Sequence, residues 1–553
     1  MESLSLLKQW CDALLEYRVE KLHPRLDGAL LCPACQVVHG RCGELVYPLL
    51  CLADRTGEAR YLDAARKLFE WSESLACDDG SIYNDGQSAW RGITVFAALS
   101  LREALHRHGQ LLPAAERAAW QARLLAHGEW VHRNIRPGFE SNINYYAAGA
   151  GAGALAVLGR DYDCPDWSAH ADELAQFCLA RISPEGLLCG EGKPIDAVTA
   201  KGCRPVDIGY NLEESLPGLL QYARARENTA VLAQVHELFR AHAAFLLPDG
   251  GMDNSFGTRN FKWTYWGSRT SEGGAYALAW LGQTDPALQS AAARELALWE
   301  KTTHGGLLTG GPDYAKRGQP ACIHHAFSHA KALAELVDDG LTPQDTAPLP
   351  RETAAPLTAY PVLDTYLVHV GDWMATVTGY DFRYLKGGHV SGGTLSLLYH
   401  QNAGVLAASA MTRYSLYEAH NMQQSGALAA QGSLTPRLQS GRFASCLDES
   451  AVLHAEENGD IVEITVQGYL RDEDQTPAAP YRFAYRFARD GVRLTAEVAA
   501  GEAELLLPLT DSAAVQGAEK GRPVFSLAGG FAMTEYRAMV RAGTPVTVCI
   551  GCG

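Results

Sequence analysis

The stretch YYAAGAGAGALAVLG, at residues 145–159, is apolar or small at nearly every position. A helix with this composition has no polar face, which is typical of a helix buried on every side. Five further stretches share this character and recur through the first 340 residues: GELVYPLLCLA (43–53), WRGITVFAALSL (90–101), NLEESLPGLLQYA (211–223), GGAYALAWLG (273–282) and HHAFSHAKALAEL (324–336).

Amphipathic, charged segments lie between these apolar stretches. Helices with one polar face are expected at a surface, whereas helices that are apolar all round are expected inside. Six outer helices alternating with six inner ones predict an (α/α)6 toroid, a closed relative of the helical solenoids, over residues 1–340. The predicted outer helices span residues 3–21, 58–76, 113–134, 167–181, 229–245 and 286–301.

A proline-rich stretch follows the predicted toroid. Residues 341–361, LTPQDTAPLPRETAAPLTAYP, contain five prolines, and proline removes amide donors and favours extended backbone before it. We therefore predict a linker there. Beyond it the apolar period changes to two, as in VEITVQGYL (462–470), and Asp490-Gly491 lies near a predicted hairpin turn. Residues 362–553 are predicted to form an antiparallel all-β sandwich domain.

Composition narrows the functional classes. Hydrophobic residues at 47% and charged residues at 20% are typical of a folded protein. The formal net charge of −16 argues against binding to nucleic acid or to an anionic membrane surface, and no apolar run suits a membrane span. The 14 cysteines are spread along the chain, which favours reduced thiols in a cytoplasmic protein. The sequence leaves open whether the protein is a homo-oligomer.

The loops before the six inner helices carry the candidate chemistry. In a closed helical ring these loops meet at one mouth, where helix N-termini favour anions. A mouth with polar groups and aromatic walls suits a sugar. Each loop has charged, amide or aromatic residues: HGR (39–41), NDGQSAWR (84–91), FESNINYY (139–146), GEGKPIDAVTAKGCRPVDIGYN (190–211), DNSFGTRNFKWTYWGSRTSEGG (253–274) and CIHH (322–325).

The fifth of these loops is the most informative. It interleaves Arg259, Lys262 and Arg269 with aromatic residues such as Trp263. Arginine binds a carboxylate through two parallel hydrogen bonds, so we predict a carboxylate-binding platform, and a sugar that carries a carboxylate is a uronic acid. The alternative is an aromatic wedge between helices whose charges are solvated.

The first and third loops add polar groups to this platform. His39 and Arg41 are predicted to contact the same ligand. Asn142 and Asn144 can hydrogen-bond a substrate carboxylate, and Tyr145 can act as an acid or base when its pKa is lowered. For the two asparagines, helix capping is the alternative role.

Several carboxylates lie at or near the predicted mouth. Glu191 and Asp207 flank the fourth loop and Glu272 lies in the fifth, while Glu140 and Glu213 are close by. Each can act in proton transfer, although a helix cap or a buried ion pair is the alternative role for any one of them.

The segment CPACQVVHGRC (32–42) gathers Cys32, Cys35, His39 and Cys42. Its CxxC start makes a zinc site conceivable, but the spacings are tighter than those of common structural zinc sites. We therefore predict reduced thiols in a tight loop and no metal, and the zinc alternative stays open.

Three further histidines have two interpretations each. His324 and His325 open the sixth inner helix, where His324 is predicted to contact substrate and packing or capping is the alternative. His389 lies among glycines in KGGHVSGG (386–393), which is a candidate lip of the cleft because glycine permits close backbone approach.

Five segments together resemble the heparinase II/III-like group of uronic-acid enzymes: HGRC (39–42), SNINYY (141–146), DNSFGTRNFKWTYWGSRTSEGG (253–274), CIHH (322–325) and YSLYEAHNMQ (414–423). Within that architecture the chain looks most similar to glycoside hydrolase family 154, the β-glucuronidases. The resemblance covers nearly the whole chain as a toroid followed by a β-sandwich. It implies uronic-acid chemistry on a glycan, at a chain end.

We therefore expect an exo-acting β-glucuronidase that releases glucuronic acid from uronic-acid-containing oligosaccharides or glycosides, without a cofactor. Hydrolysis needs a carboxylic acid at the leaving oxygen and a carboxylate that activates water or attacks the anomeric carbon. Glu191 and Asp207 are the predicted pair, with Glu272 in reserve.

Two alternatives stay open. In a polysaccharide lyase, Asn142, Asn144 or Arg41 would neutralise the uronate carboxylate. Tyr145, Tyr210 or a histidine would then abstract the C5 proton and protonate the leaving O4. A sugar-binding or sugar-isomerising helical barrel is the third candidate, because the fold alone does not fix the function.

Overall fold

A ring of helices forms the first part of the chain in the computed structural model, which describes residues 2–84, 90–147, 149–414 and 432–552. The outer helices are α1 Ser3–Leu15, α3 Ala59–Glu73, α5 Ala114–Asn134, α8 Pro165–Leu179, α11 Thr229–Ala243 and α13 Pro286–Thr302. The inner helices are α2 Val46–Thr56, α4 Thr94–His108, α6 Ile143–Ala147 with α7 Leu155–Asp161, α9 Ile208–Tyr210 with α10 Leu216–Ala225, α12 Gly274–Leu281 and α14 Ile323–Asp338. The predicted (α/α)6 toroid is confirmed.

Two of the inner helices change their winding near the mouth. A π-helical turn, Gly149–Ala154, lies between α6 and α7, and a second, Asn211–Ser215, lies between α9 and α10. Both turns follow polar residues of the third and fourth loops. Single π-helical turns inside α-helices occur frequently at functional sites.

The ring closes where the first and last helices meet. Helix α14 packs against α1 and α2, and every residue from 323 to 336 is buried, as expected for a helix enclosed on all sides. Trp10 of α1 packs against Trp299, with ring centroids 5.7 Å apart and the ring planes tilted, and its indole nitrogen donates to Thr303 at 2.9 Å. In the described part of the chain, no helix is long and apolar enough to cross a bilayer.

The second part of the chain is antiparallel β-structure, as predicted. One sheet has five strands in chain order: β5 Leu357–Tyr360, β6 Thr365–Val370, β7 Trp373–Thr378, β8 Thr394–His400 and β9 Gly404–Ala408. Earlier in the chain, the toroid loops carry two short hairpins, β1 Trp263–Thr264 with β2 Gly267–Ser268 and β3 Thr303–His304 with β4 Leu307–Leu308.

The other large sheet has eleven strands: β10 Arg437–Ser440, β11 Phe443–Ala444, β12 Val452–Asn458, β13 Ile461–Arg471, β14 Pro477–Ala488, β15 Gly491–Val498, β16 Glu502–Leu509, β17 Ala513–Gln516, β18 Glu519–Phe525, β19 Ala532–Arg541 and β20 Val546–Cys552. Their order is β17-β20-β15-β14-β13-β11-β10-β16-β19-β18, with β12 on β13. A buried apolar core packs between the two sheets, and the β14–β15 hairpin turns at the predicted Asp490-Gly491. Short 3-10 helices span Gly40–Leu45, Gly109–Leu111, Asn260–Lys262, Ala315–Arg317, Pro350–Thr353, Pro361–Leu363 and Ser445–Leu447.

Arg351 anchors the proline-rich stretch between the two parts of the chain. Its side chain is buried and donates to Asp253 of the fifth loop at 3.2 Å. It also donates to the Ala375 carbonyl at 3.0 Å and to the Thr376 hydroxyl at 2.9 Å, both on β7. A buried guanidinium with an ion-pair partner and two further acceptors holds its position firmly. The fifth loop is therefore fixed against the β domain.

We expect Arg351→Ala to lower the free energy of unfolding by about 3–5 kcal/mol, because it leaves the buried Asp253 carboxylate without its cation. Urea denaturation measures this loss. The control is Arg489→Ala, since the Arg489 side chain is 71% exposed in its ion pair with Asp460 and such pairs contribute less than about 1 kcal/mol. Equal losses in both variants would contradict the anchoring role.

Candidate active site

The loops before the inner helices surround a cleft whose volume, including its opening to solvent, is about 790 Å³. Five of the six loops supply its walls, and Tyr384 of the β domain closes one side. The lining residues are Arg41, Asn84, Trp90, Ile93, Phe96, Ser141, Asn142, Asn144, Tyr145, Lys193, Tyr210, Glu214, Arg259, Lys262, Thr270 and Tyr384. Half of the site residues predicted from the sequence are among them: Arg41, Asn142, Asn144, Tyr145, Tyr210, Arg259 and Lys262.

Tyr210 lies at the centre of a hydrogen-bonded chain on the cleft wall. Lys262 donates to the Tyr210 hydroxyl at 3.3 Å, and the Thr270 hydroxyl lies 3.3 Å from the same oxygen. Thr270 in turn donates to the Glu214 carboxylate. Burial raises the pKa of the Tyr210 phenol and Glu214 adds to the increase, while the guanidinium of Arg259, 4.8 Å from the ring centre, opposes it. The chain can carry a proton between a cation and a carboxylate.

Tyr145 faces the cleft from the third inner helix. Its hydroxyl accepts a hydrogen bond from the Trp90 indole at 3.2 Å, and the two rings meet edge to face with centroids 5.4 Å apart. Burial raises the pKa of the phenol, and Arg259 opposes the increase. In the described part of the chain, Tyr145 therefore has one aromatic hydrogen-bond partner, whereas Tyr210 lies next to an ammonium group.

The side-chain amides of Asn142 and Asn144 each bind a glutamate carboxylate. Asn142 donates to Glu191 and Asn144 donates to Glu214, both at 2.7 Å. Among the described residues, neither side-chain oxygen has a hydrogen-bond partner. A capping side chain would use that oxygen to accept from a backbone amide, so the capping alternative fails.

Arg41 is held in a buried ionic cluster. Its guanidinium donates to Glu44 and to Glu272, with Glu214 3.6 Å away. Lys331 of α14 binds Glu272 at 2.9 Å and also contacts Glu44. Burial raises the pKa of Glu272 to about 7, against the attraction of Lys331. The predicted reserve acid Glu272 is therefore a partner of Arg41 beneath the cleft.

The two carboxylates predicted as an acid–base pair lie in the protein interior. Asp207 accepts from the backbone amides of Tyr210 and Arg259, at 2.9 and 2.6 Å, and from the Asn254 side chain at 2.8 Å. The bond from Tyr210 makes Asp207 the N-cap of α9, and the other two donors come from the fifth loop. Glu191 is fully buried and accepts from Arg259 at 2.8 Å. Burial raises the pKa of Glu191 to about 6, with Arg259 opposing the increase.

Four other predicted residues lie away from the described cleft lining. Trp263 is buried, and its indole donates to the Met252 carbonyl at 3.0 Å. Its own carbonyl accepts from the Gly529 amide of the β domain at 2.9 Å. Trp263 therefore has the packing role given by the aromatic-wedge alternative. The remaining three meet around a group of thiols: His39, Arg269 and His324.

Lys193, Glu214, Thr270 and Tyr384 line the cleft but were missed by the sequence analysis. Lys193 is in the quoted fourth loop and Glu214 directly follows Glu213, so loop position was an available signal for both.

His389 lies beside Glu449, 2.8 Å from its carboxylate, while the neighbouring Gly388 accepts from Asn260 of the fifth loop. Of the motif at 414–423, only Tyr414 is within the described residues.

The sequence matches two family models in succession. Residues 7–352 match the ulvan lyase N-terminal domain, and residues 357–518 match the ulvan lyase C-terminal domain. The chain belongs to the ulvan lyase family. A broad-specificity ulvan lyase from Formosa agariphila is 35% identical to it over 509 residues, which cover 88% of this chain and 79% of that protein.

A solved structure shares the fold of this ulvan lyase family member. The chondroitin AC lyase of Streptomyces coelicolor A3, in complex with chondroitin sulphate, superposes with a TM-score of 0.50 at 13% identity. The match covers all of this chain and 79% of the other. The toroid followed by an antiparallel β domain is thus a known architecture.

These findings correct the expected chemistry. The expectation of a glycoside hydrolase, and of a β-glucuronidase of family 154 in particular, is wrong, because both family models and the 35% identical relative are ulvan lyases. The broader resemblance, to uronic-acid enzymes with a helical toroid, is confirmed. The physical origin of the error lies in the carboxylates, since Glu191 and Asp207 accept hydrogen bonds from the loop and helix that they support.

The ionisation of Glu191 should be visible in the pH dependence of activity. Above about pH 6 its carboxylate pairs with Arg259, and below that pH it is protonated and the ion pair weakens. We therefore expect kcat/KM on a uronic-acid polysaccharide to fall as the pH decreases through about 6. In Glu191→Gln this inflection should disappear, and kcat/KM near pH 8 should be about tenfold lower, equivalent to ~1.4 kcal/mol.

The matched control for this profile is Glu456→Gln, because the Glu456 side chain is 61% exposed on the β domain. This variant should keep the wild-type pH profile. An acidic limb that is the same in wild type and Glu191→Gln would assign the ionisation to another group.

Proposed function

We propose that this protein is a polysaccharide lyase that cleaves ulvan next to a uronic acid by β-elimination. The proposal is supported by its family membership and by the activity named for its Formosa agariphila relative. The observation that carries it in this chain is the position of Tyr210. Its hydroxyl lies on the cleft wall between Lys262 and Thr270, beside the amides of the third loop.

The uronate carboxylate must be neutralised first, because this acidifies the proton on C5. Asn142 and Asn144 lie at the cleft surface, and each amide nitrogen that binds a glutamate carries a second N–H. Arg259 lies between the rings of Tyr210 and Tyr384, at 4.8 and 5.2 Å from their centres. We assign substrate carboxylate binding to the two amides together with Arg259, since charge-assisted hydrogen bonds are the strong ones.

Tyr210 then transfers the proton. Burial raises the pKa of this phenol, so the phenolate forms when its proton passes along the hydrogen-bonded chain to Glu214. The phenolate, beside Lys262 and Arg259, then removes the C5 proton. The C5–H electron pair becomes the C4=C5 double bond, the C4–O4 bond breaks, and the phenol returns its proton to O4. The hydrogen-bonded chain through Thr270 to Glu214 gives the phenol proton a place to go before substrate is attacked.

A hydrolytic mechanism lacks its main requirement in the described cleft. Hydrolases of this kind use two carboxyl groups on either side of the scissile bond. Within the described lining of the cleft, Glu214 is the only carboxylate. It already accepts from Asn144 and Thr270, which suits a group that orients its neighbours.

We expect incubation with ulvan to release oligosaccharides that absorb in the short ultraviolet, because elimination leaves a 4,5-unsaturated uronic acid at the new end. Their mass should be lower by one water than that of the hydrolytic products. Products at the hydrolytic mass without absorbance would contradict the proposal.

Tyr210→Phe should lower kcat by about 10²–10⁴-fold with a much smaller change in KM, because it removes the group that transfers the proton but keeps the ring. The matched control is Tyr222→Phe on the same inner helix, whose hydroxyl bonds Asp172 at 2.8 Å outside the cleft. The control should keep its activity. If Tyr145→Phe is the inactive variant and Tyr210→Phe is active, the proton transfer belongs to Tyr145.

A further inference from the structure

Three cysteines and a histidine from distant parts of the chain meet beneath the cleft. The sulfur of Cys322, at the start of the sixth inner helix, lies 3.8 Å from that of Cys32 and 3.5 Å from that of Cys35. Ligand atoms of Cys32, Cys35 and His39 all lie within 4.8 Å of one another. All four side chains are buried.

The two sulfur–sulfur separations at Cys322 fit a tetrahedral metal centre. With zinc–sulfur bonds of about 2.3 Å, the corners of a tetrahedron lie about 3.8 Å apart. The distances of 3.8 and 3.5 Å agree with that value, whereas a disulfide would need sulfurs about 2.05 Å apart. A set of three thiolates and one imidazole with closed geometry is a common structural zinc site.

The local backbone is shaped around the first two sulfurs. Residues 32–36, CPACQ, turn tightly, with the Gln36 amide donating to the Cys32 carbonyl at 2.8 Å and Gln36 in the left-handed region at φ 56°. The turn is continued by a bridge between Leu31 and Val38. The Cys35 amide points at the Cys32 sulfur at 3.3 Å. An amide that donates to sulfur stabilises a thiolate in the same way as a carboxylate.

Arg269 supplies the matching charge. It is buried, and its guanidinium donates to the sulfurs of Cys35 and Cys322 at 3.1 Å each and lies 3.3 Å from His324. In the described part of the chain, none of its hydrogen-bond partners is a carboxylate. A buried cation without a negative partner is costly. Three thiolates, one neutral imidazole and a divalent zinc ion carry a net charge of −1, which Arg269 neutralises.

We propose that Cys32, Cys35, His39 and Cys322 bind one structural zinc ion. The metal replaces the three thiol protons, which are released to solvent. This set revises the grouping expected from the sequence, because Cys322 takes the place of Cys42. The zinc ion joins the first loop to the start of α14, and through Arg269 it reaches the fifth loop. It therefore fixes the three loops relative to one another from below the cleft.

The test measures metal in the full-length protein, purified without a metal-affinity tag from cells grown with added zinc. Plasma mass spectrometry should find about one zinc ion per chain. Cys322→Ala and Cys35→Ala should lose most of it, while Cys42→Ala, a buried cysteine three residues after His39, should keep it. If Cys42→Ala loses zinc as fully as Cys322→Ala, the proposed ligand set is wrong.

A second measurement does not depend on the folding of any variant. Wild-type protein stripped of metal with a chelator under reducing conditions is titrated with Co²⁺. One equivalent should produce thiolate-to-cobalt charge-transfer absorption, and Zn²⁺ should abolish it. No thiolate band together with zinc-free purified protein, or a disulfide among these cysteines in the non-reduced peptide map, would overturn the proposal. Neither readout uses lyase activity, so the two proposals fail independently.

Discussion

Enclosure of the inner helices is the constraint on which the rest of the molecule depends. A helix such as α14, buried along residues 323–336, has no solvent-facing side, so its polar groups must either find partners inside or gather at its ends. The six inner helices start at the same end of the ring. Their preceding loops are therefore where hydroxyls, amides and charges can meet water and substrate, and five of these loops line one cleft.

Burial also dictates how charge is handled below the cleft. Arg41 and Lys331 share Glu44 and Glu272, and Arg259 shares Glu191 with Asn142. Arg41 and Arg259, the two arginines of the described cleft lining, are thus each held in direction by a carboxylate. Because buried charges without partners are strongly destabilising, the carboxylates that look catalytic in the sequence are used to orient the residues in front of them.

Much of the fold could be predicted from the sequence, because the local spacing of apolar residues indicates which helices are buried and which segments form strands. The place of Tyr210, Arg259 and the two asparagines in the cleft lining could be predicted from loop position alone. Other features depend on contacts between residues that are far apart in the sequence. Cys322 is 287 residues from Cys35 along the chain, so no spacing rule joins them. Likewise, only the folded chain shows that three donors already occupy Asp207, which separates a cap from an acid.

The π-helical turns at Gly149–Ala154 and Asn211–Ser215 affect the orientation of the residues that precede them at the cleft. A π turn holds one more residue than an α turn, which offsets the residues on its two sides by about 100° around the helix axis. The asparagines of the third loop and Tyr210 lie before these turns, whereas α7 and α10, which pack against the outer helices α8 and α11, lie after them. The direction in which the cleft residues point is therefore set separately from the packing of the ring. The number of residues in each π turn sets the rotation of the polar side chains about the helix axis, whereas side-chain shape sets the packing of the interior.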